Sequence, residues 1–256
     1  LDLLCDIFIE VLNNLNPNFL SSIIKLLNQQ TNYHECLNIL IETRQIIERF
    51  AKSIELSINN TGNHRLLQKV QVNLFAEILY LPFRDLIERY EGIETKALLS
   101  DLETVKSISQ PSESLNKAFL YAKEAEKRCH RLSYSVSFPI LFNILEKYFN
   151  DLIQHFQSRI DHLRSKSLSS ENKSSIPDWS LFQLSLFNLQ ASGEFTLQLE
   201  SFRQQLFASI KDVQKKIPTL YGPNSSPFQR YHQLILSPSM KSQFLELKNI
   251  CFEDDT

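Results

Sequence analysis

Glycine is almost missing from this chain: only Gly62, Gly92, Gly193 and Gly222 occur among 256 residues, each isolated. Average usage is about 7%. Parallel α/β folds, hairpin-rich β folds and phosphate-cradling loops need glycine where φ is positive or where backbone approaches closely. No Gly-x-Gly-x-x-Gly or Walker-type loop can be written from these four positions. Helices need none of this. Apolar residues recur every three or four positions along most of the chain, the helical period, so the sequence predicts an all-α protein.

Proline and glycine then set the expected boundaries, because proline costs about 3 kcal/mol in a helix interior but is tolerated in the first turn. The pattern predicts a helix over 2–15, then Asn16 as N-cap and Pro17 at the first position of a second helix reaching Gln29. A third follows over 32–58, with Leu37, Leu40, Ile41, Ile47, Phe50, Ile54 and Ile58 as its core stripe. A fourth spans 64–80 on Leu67, Val70, Leu74, Ile78 and Leu79. Pro82 is expected to kink or interrupt it, a continuation to end at Tyr90–Gly92, and a short helix to fill 93–105. Ser112 is the expected cap of a helix to Val136 whose stripe is Leu115, Phe119, Ala122, Ala125, Cys129, Leu132 and Val136. The longest helix is expected at 139–165, a solvated loop at 166–176, and a helical stretch to 217 bent at Ser192-Gly193. A Pro-rich loop at 218–227 and two short helices at 228–236 and 239–251 complete the map. The clearest break, at Pro111, divides the chain into two expected units, a first helical bundle at 1–111 and a second at 112–256. The stripes are wider than a strict heptad seam, which favours bundles over an isolated coiled coil.

Composition excludes several functions. The formal charge of −2 is too balanced for nucleic-acid binding. Cys5, Cys36, Cys129 and Cys251 form no CxxC pair and are too sparse for a disulfide framework, as expected of a reduced, cytosolic protein. The sequons at Asn59, Asn172 and Asn224 are then expected to go unused. No apolar run reaches the roughly 20 residues of a membrane-spanning helix. No signal peptide is visible. The chain starts at Leu1 within an apolar pattern, as a piece of a longer protein would.

Candidate chemistry is thin. His155 and His162 share a helix face, but a metal needs three or four converging ligands, and plain surface residues are the expectation. Cys129 falls on the apolar stripe and reads as a core thiol. Cys36 and His34 are two residues apart on a helix, too divergent for a nucleophile and its base. The carboxylate motifs of prenyl-diphosphate enzymes are missing, and no catalytic residue, metal or cofactor is expected. Two basic groups, Lys123, Lys127, Arg128 and Arg131, and Arg164 with Lys166, suit anionic lipid headgroups or a partner. Both are interleaved with acids, which favours a solvated face. Trp179, at the head of a helix, reads as a packing anchor, and Leu79–Phe83 as core.

Several stretches carry a resemblance. They are Ile78-Leu79-Tyr80-Leu81-Pro82-Phe83, Arg89-Tyr90-Glu91-Gly92, Glu126-Lys127-Arg128-Cys129-His130-Arg131, Leu145-Glu146-Lys147-Tyr148-Phe149, Asp178-Trp179-Ser180-Leu181-Phe182-Gln183 and Ser226-Pro227-Phe228-Gln229-Arg230-Tyr231. In this order and spacing the chain resembles subunit seven of the conserved oligomeric Golgi complex, a vesicle tether. The resemblance implies an elongated rod of stacked antiparallel helix bundles without catalytic residues. It implies a peripheral protein on the cytosolic face of Golgi membranes, serving retrograde intra-Golgi transport and so the retention of glycosylation enzymes. The implied partners are sister subunits five, six and eight, with SNARE proteins and Rab GTPases meeting the assembled complex. A helical exchange or regulatory factor for a small GTPase, or a subunit of another helical-rod tether, are the alternatives the residues leave open.

Overall fold

The computed structural model describes residues 2–15, 18–60, 70–133, 137–170, 179–221 and 242. Among them are seven helices and no strand: α1 (Asp2–Asn14), α2 (Phe19–Gln29), α3 (Tyr33–Asn60), α4 (Val70–Lys106), α5 (Pro111–Ser133), α6 (Phe138–Ser170) and α7 (Trp179–Tyr221). The all-α expectation holds. The expected helices at 228–236 and 239–251 lie outside the described residues, except Ser242.

Local chemistry moves several boundaries. Helix α2 is capped by Asn18, not Asn16: the Ser21 N–H donates to Asn18 Oδ1 at 2.7 Å, satisfying one of the donors a helix start leaves open. Asn16 and Pro17 lie outside the described residues. Pro111 rather than Ser112 opens α5, since proline at the first helical position gives up an N–H that would be unpaired anyway. The α6 helix continues through Ser170, where a loop was expected, and the remaining loop residues, 171–178, are not described. At 43 residues α7, not α6, is the longest helix. It shows no break at Ser192-Gly193, and its assigned span includes Pro218.

The largest correction concerns α4. It runs unbroken for 37 residues through both Pro82 and Gly92. Burial supplies the reason. Leu79, Tyr80, Phe83, Leu86, Ile87 and Tyr90 are each no more than 7% exposed. At about 1.5–3 kcal/mol per buried side chain, their packing outweighs one lost hydrogen bond and one glycine. The buried face of α4 starts at Val72, Phe75 and Ala76, while Leu74 of the expected stripe faces outward.

Two aromatic clusters anchor the core. Phe8 of α1, Phe50 of α3 and Phe75 of α4 meet with ring centroids 5.6–6.2 Å apart. Phe119 of α5, Phe149 of α6, and Phe195 and Phe202 of α7 form the second, at 5.1–6.2 Å. One continuous apolar cluster joins them, from Ile23 to Ile210, so the core crosses the turn at Pro111.

Polar contacts give the helix directions. Tyr148 donates to the Ala118 carbonyl at 3.2 Å and Arg159 Nη2 to the Ser109 carbonyl at 2.6 Å. Helix α6 is therefore antiparallel to α5. Gln198 reaches Asn116 at 2.8 Å and Gln205 reaches Glu126 at 2.6 Å, so α7 is parallel to α5. With Gln198 level with Asn116, residues 179–192 of α7 extend past the start of α5. At 1.5 Å per residue that overhang is roughly 20 Å. Burial along α6 fades the same way, from buried Leu152 to exposed Ile160.

Candidate functional site

Charged groups inside a helical protein cost free energy unless paired. Here each serves as a bridge between helices. Glu94 of α4 has a fully buried side chain and takes Arg128 of α5 in a bidentate grip, Nε to Oε2 at 3.2 Å and Nη2 to Oε1 at 2.5 Å. Burial pushes the Glu94 carboxyl up, and the guanidinium partly offsets it. Asp101 of α4 lies 3.0 Å from His34 Nε2 of α3; burial raises its carboxyl too, against the pull of the histidine. Arg44 of α3, itself buried, donates to the Arg131 carbonyl at the end of α5 and bonds Glu48 at 3.3 Å. Glu126 of α5 accepts from Gln205 at 2.6 Å and Ser209 at 2.8 Å on α7. Sequence reasoning missed Glu94, Asp101, Glu126 and Arg44 because charged residues on a helix usually face water. The available signal was their period: Glu94, Asp101 and Glu126 fall on the same faces as the apolar stripes around them.

None of these groups is poised for chemistry. Cys129 is fully buried and its thiol is pushed up to about 12, chiefly by burial. At neutral pH it holds almost no thiolate, the form that attacks or binds metal. Cys36 is also raised by burial, and its sulfur lies 3.6 Å from the Leu27 carbonyl. His34 turns to Asp101 instead of Cys36. His155 is lowered, first by burial and then by the Arg159 and Lys106 charges, while His162 is exposed. Among the described residues no group of three or more His, Cys, Asp or Glu side chains could hold a metal ion. No described helix is long and apolar enough to cross a membrane.

The basic candidates divide. Lys123, Lys127 and Arg131, four residues apart, share one exposed face of α5, with Lys127 paired to Glu124 at 2.7 Å. Arg128 points inward to Glu94 and leaves that patch, a correction to its expected surface role. Arg164 and Lys166 are exposed near the end of α6. Because α6 is antiparallel to α5 and pairs 148 with 118, these two groups lie roughly 35 Å apart along the helices. They do not form one surface.

Trp179 is not a packing anchor. It is 67% exposed and touches Phe182 of its own helix, ring centroids 5.9 Å apart. With Phe182, Leu186 and Leu189 it forms an exposed apolar row on the overhanging part of α7. Beside the row an open cleft of about 400 Å³ separates α6 from α7, lined by Ile160, Leu163, Arg164, Asn188 and Leu189. Of the stretch expected as core, Leu79, Tyr80 and Phe83 are buried, while Leu81 is 39% exposed and faces outward.

Comparison with known proteins gives the family. The family model "Golgi complex component 7 (COG7)" matches residues 2–245. The chain belongs to the COG7 family. Among similar curated proteins is conserved oligomeric Golgi complex subunit 7 of Rattus norvegicus, 25% identical over 202 residues, covering 74% of this chain and 26% of the relative. The Homo sapiens subunit 7 is 27% identical over 188 residues, covering 66% and 23%. That of Drosophila melanogaster is 24% identical over 227 residues, covering 84% and 30%. The chain thus spans about a quarter of the length of the COG7 relatives it matches. No solved structure matches it.

Proposed function

We propose that the chain is a non-enzymatic structural segment of a Golgi vesicle-tethering complex, acting in retrograde intra-Golgi transport and so in retention of glycosylation enzymes. The observation that carries this reading is the COG7 family match across nearly the whole chain. The cross-helix use of the buried charges supports it, because Glu94, Asp101, Arg44 and Glu126 each hold one helix to another. The mechanism is mechanical: long helices hold docking faces at fixed separations, and association free energy is the only energy spent.

The subunit works peripherally on the cytosolic face of Golgi membranes. Sister subunits five, six and eight are its direct partners, and SNARE proteins and Rab GTPases meet it through the assembled complex. Lys123, Lys127 and Arg131 on α5, and Arg164 and Lys166 on α6, provide two separate sites for acidic partners or anionic headgroups. Removing Arg128 from that set leaves three cations aligned on one helix face.

The test is co-purification of the tagged full-length subunit, with crosslinks mapped to these helices. The expected result is recovery of the sister subunits with crosslinks on exposed faces of α5, α6 and α7. Recovery of none of them would overturn the reading. Acceleration of nucleotide release from a small GTPase by the purified chain would replace it with an exchange-factor role. Small-angle scattering should give a radius of gyration well above the ~18 Å of a compact chain this long.

A further inference from the structure

The turn between α4 and α5, residues 107–110, carries an unbalanced positive charge. Arg159 of α6 leans over it and donates to the carbonyls of Ile108, at 3.4 Å, and Ser109, at 2.6 Å. Both acceptors are neutral. Burial lowers the guanidinium below its ordinary value, and no carboxylate offsets it. A second cation, Lys106, ends α4. Its bond to Glu103, at 2.8 Å, is to a carboxylate 74% exposed, so that pair contributes little. His155, one turn from Arg159 on α6, senses the same imbalance: the Arg159 and Lys106 charges both disfavour its proton and Glu103 opposes them. The start of α5 adds to the positive potential, with Glu113 of its first turn set against it. Cations held this way without an anion form the arrangement that a phosphate completes.

The turn also holds a carrier for one. Ser107, Ser109, Ser112 and Ser114 lie in or beside it. Ser107 donates its hydroxyl to the Thr104 carbonyl at 2.7 Å, and buried Ser114 donates to that of Val105 at 3.0 Å. Ser112 is half-buried. Ser109 is exposed, and its hydroxyl has no hydrogen-bond partner among the described residues. Its carbonyl is the one that Arg159 holds most closely. A serine oxygen lies roughly 3–4 Å from the carbonyl oxygen of its own residue, and a phosphoryl group adds about 2.5 Å of reach. Arg159 Nη2 is therefore within reach of a phosphate on Ser109 with no change in the backbone.

We propose that Ser109 is a phosphorylation site, and that its phosphate, gripped by Arg159 and Lys106, fastens the α4–α5 turn to α6. A protein kinase performs the step. Ser109 Oγ attacks the γ-phosphoryl group of a nucleoside triphosphate. The Oγ–P bond forms, the bond to the β-phosphate oxygen breaks, the hydroxyl proton passes to the base of the kinase, and the nucleoside diphosphate leaves. The product carries a charge of about −1.5 to −2 at pH 7. Arg159, which now bonds neutral carbonyls, gains a charge-assisted bond roughly twice as strong. Exposure of Ser107, Ser109 and Gln110 leaves the hydroxyl open to the enzyme. Helix α6 continues outward beyond this turn, so the modification sets how firmly that helix is held.

Two measurements test the proposal. The tagged full-length subunit, recovered from its own cells with phosphatases inhibited, should carry phosphate on Ser109 by peptide mass mapping. The chain with phosphoserine in place of Ser109 should fold with an equilibrium constant about tenfold above that of the unmodified chain, read by urea unfolding. Arg159→Met should reduce that gain to within about twofold. The His155 imidazole, followed by NMR, gives a readout that a general change in stability would not move. Its titration should shift upward on phosphorylation, since the new anion opposes the two cations that hold it down. This readout needs no Arg159 variant, so it decides even if Arg159→Met fails to fold. A subunit without phosphate on Ser109 would overturn the proposal. So would a phosphoserine that leaves the His155 titration where it was, or one whose stabilisation survives Arg159→Met undiminished.

Discussion

Helices α4 and α7 look alike in sequence and end up in opposite situations. Both are long, both carry an interior glycine and an interior proline, and both are apolar on more than one side. Helix α4 is enclosed: α1, α3, α5 and α6 pack around it, and most large apolar residues from Phe75 to Val105 are buried, Leu81 and Leu99 being the exposed ones. Among the described residues helix α7 packs mainly on α5 and α6, and its overhanging third presents Trp179, Phe182 and Leu189 to solvent. A second apolar stripe therefore has two possible meanings. In α4 it completes the core of this chain; in α7 it is a surface left for something else.

Core truncation should separate the two helices most sharply. Phe83→Ala in α4 should destabilise the fold by about 4 kcal/mol, while Phe182→Ala in α7 should change monomer stability by less than about 0.5 kcal/mol. Urea unfolding of the dilute chain checks both, and similar losses at the two sites would erase the distinction. The ion pair that ties α4 to α5 comes next. Arg128→Met strands the buried Glu94 carboxylate and should cost about 3 kcal/mol, most of it recovered when Glu94→Leu is added. A double-mutant cycle in urea reads the coupling. No equivalent buried charge ties down residues 179–192 of α7 among the described contacts.

Smaller effects test the shared feature. Nothing lies within 4 Å of a Cβ added at Gly92 or Gly193. Gly92→Ala and Gly193→Ala should therefore each raise monomer stability by about 0.5–1 kcal/mol, measured as a shift in urea midpoint. A loss at Gly92 alone would mean that enclosure of α4 leaves less room than its geometry indicates. The smallest effect concerns pH. His155 of α6 is held below its ordinary value by burial and by Arg159 and Lys106, and its Nε2 has no hydrogen-bond partner. Folding thus favours the neutral ring. Its contribution is complete above the unfolded value near pH 6.5 and is lost as pH falls through the lower folded value. His155→Phe should narrow the gap between the melting temperatures at pH 7 and pH 5; an unchanged gap would show that the ring is not penalised.

What could be read in advance follows the range of the forces involved. The α3 and α5 stripes were legible because Leu37, Leu40, Ile41, Leu115, Phe119 and Ala122 repeat at the helical period and face one core. The continuity of α4 was not. The cost of Pro82 and Gly92 is local, whereas the burial that outweighs it comes from helices distant in sequence. Asn16 and Asn18 are equally good caps on either side of Pro17, and only the backbone path selects Asn18. The working parts of the site were hidden. Arg128 sits among surface-type residues in sequence, and only the approach of Glu94, 34 positions earlier, turns it inward.

The grip of Arg159 on the turn between α4 and α5 carries a consequence for load. Its two guanidinium nitrogens hold the carbonyls of Ile108 and Ser109, from a helix that continues outward beyond that turn. A pull along the axis on the far end of α6 would strain this clasp, the Tyr148 bond and the interlocked phenylalanines together, in shear, rather than opening them one after another. A two-helix projection fastened in this way resists tension far better than peeling. It would behave as a stiff arm under a load along its length, and as a hinge when the force comes from the side.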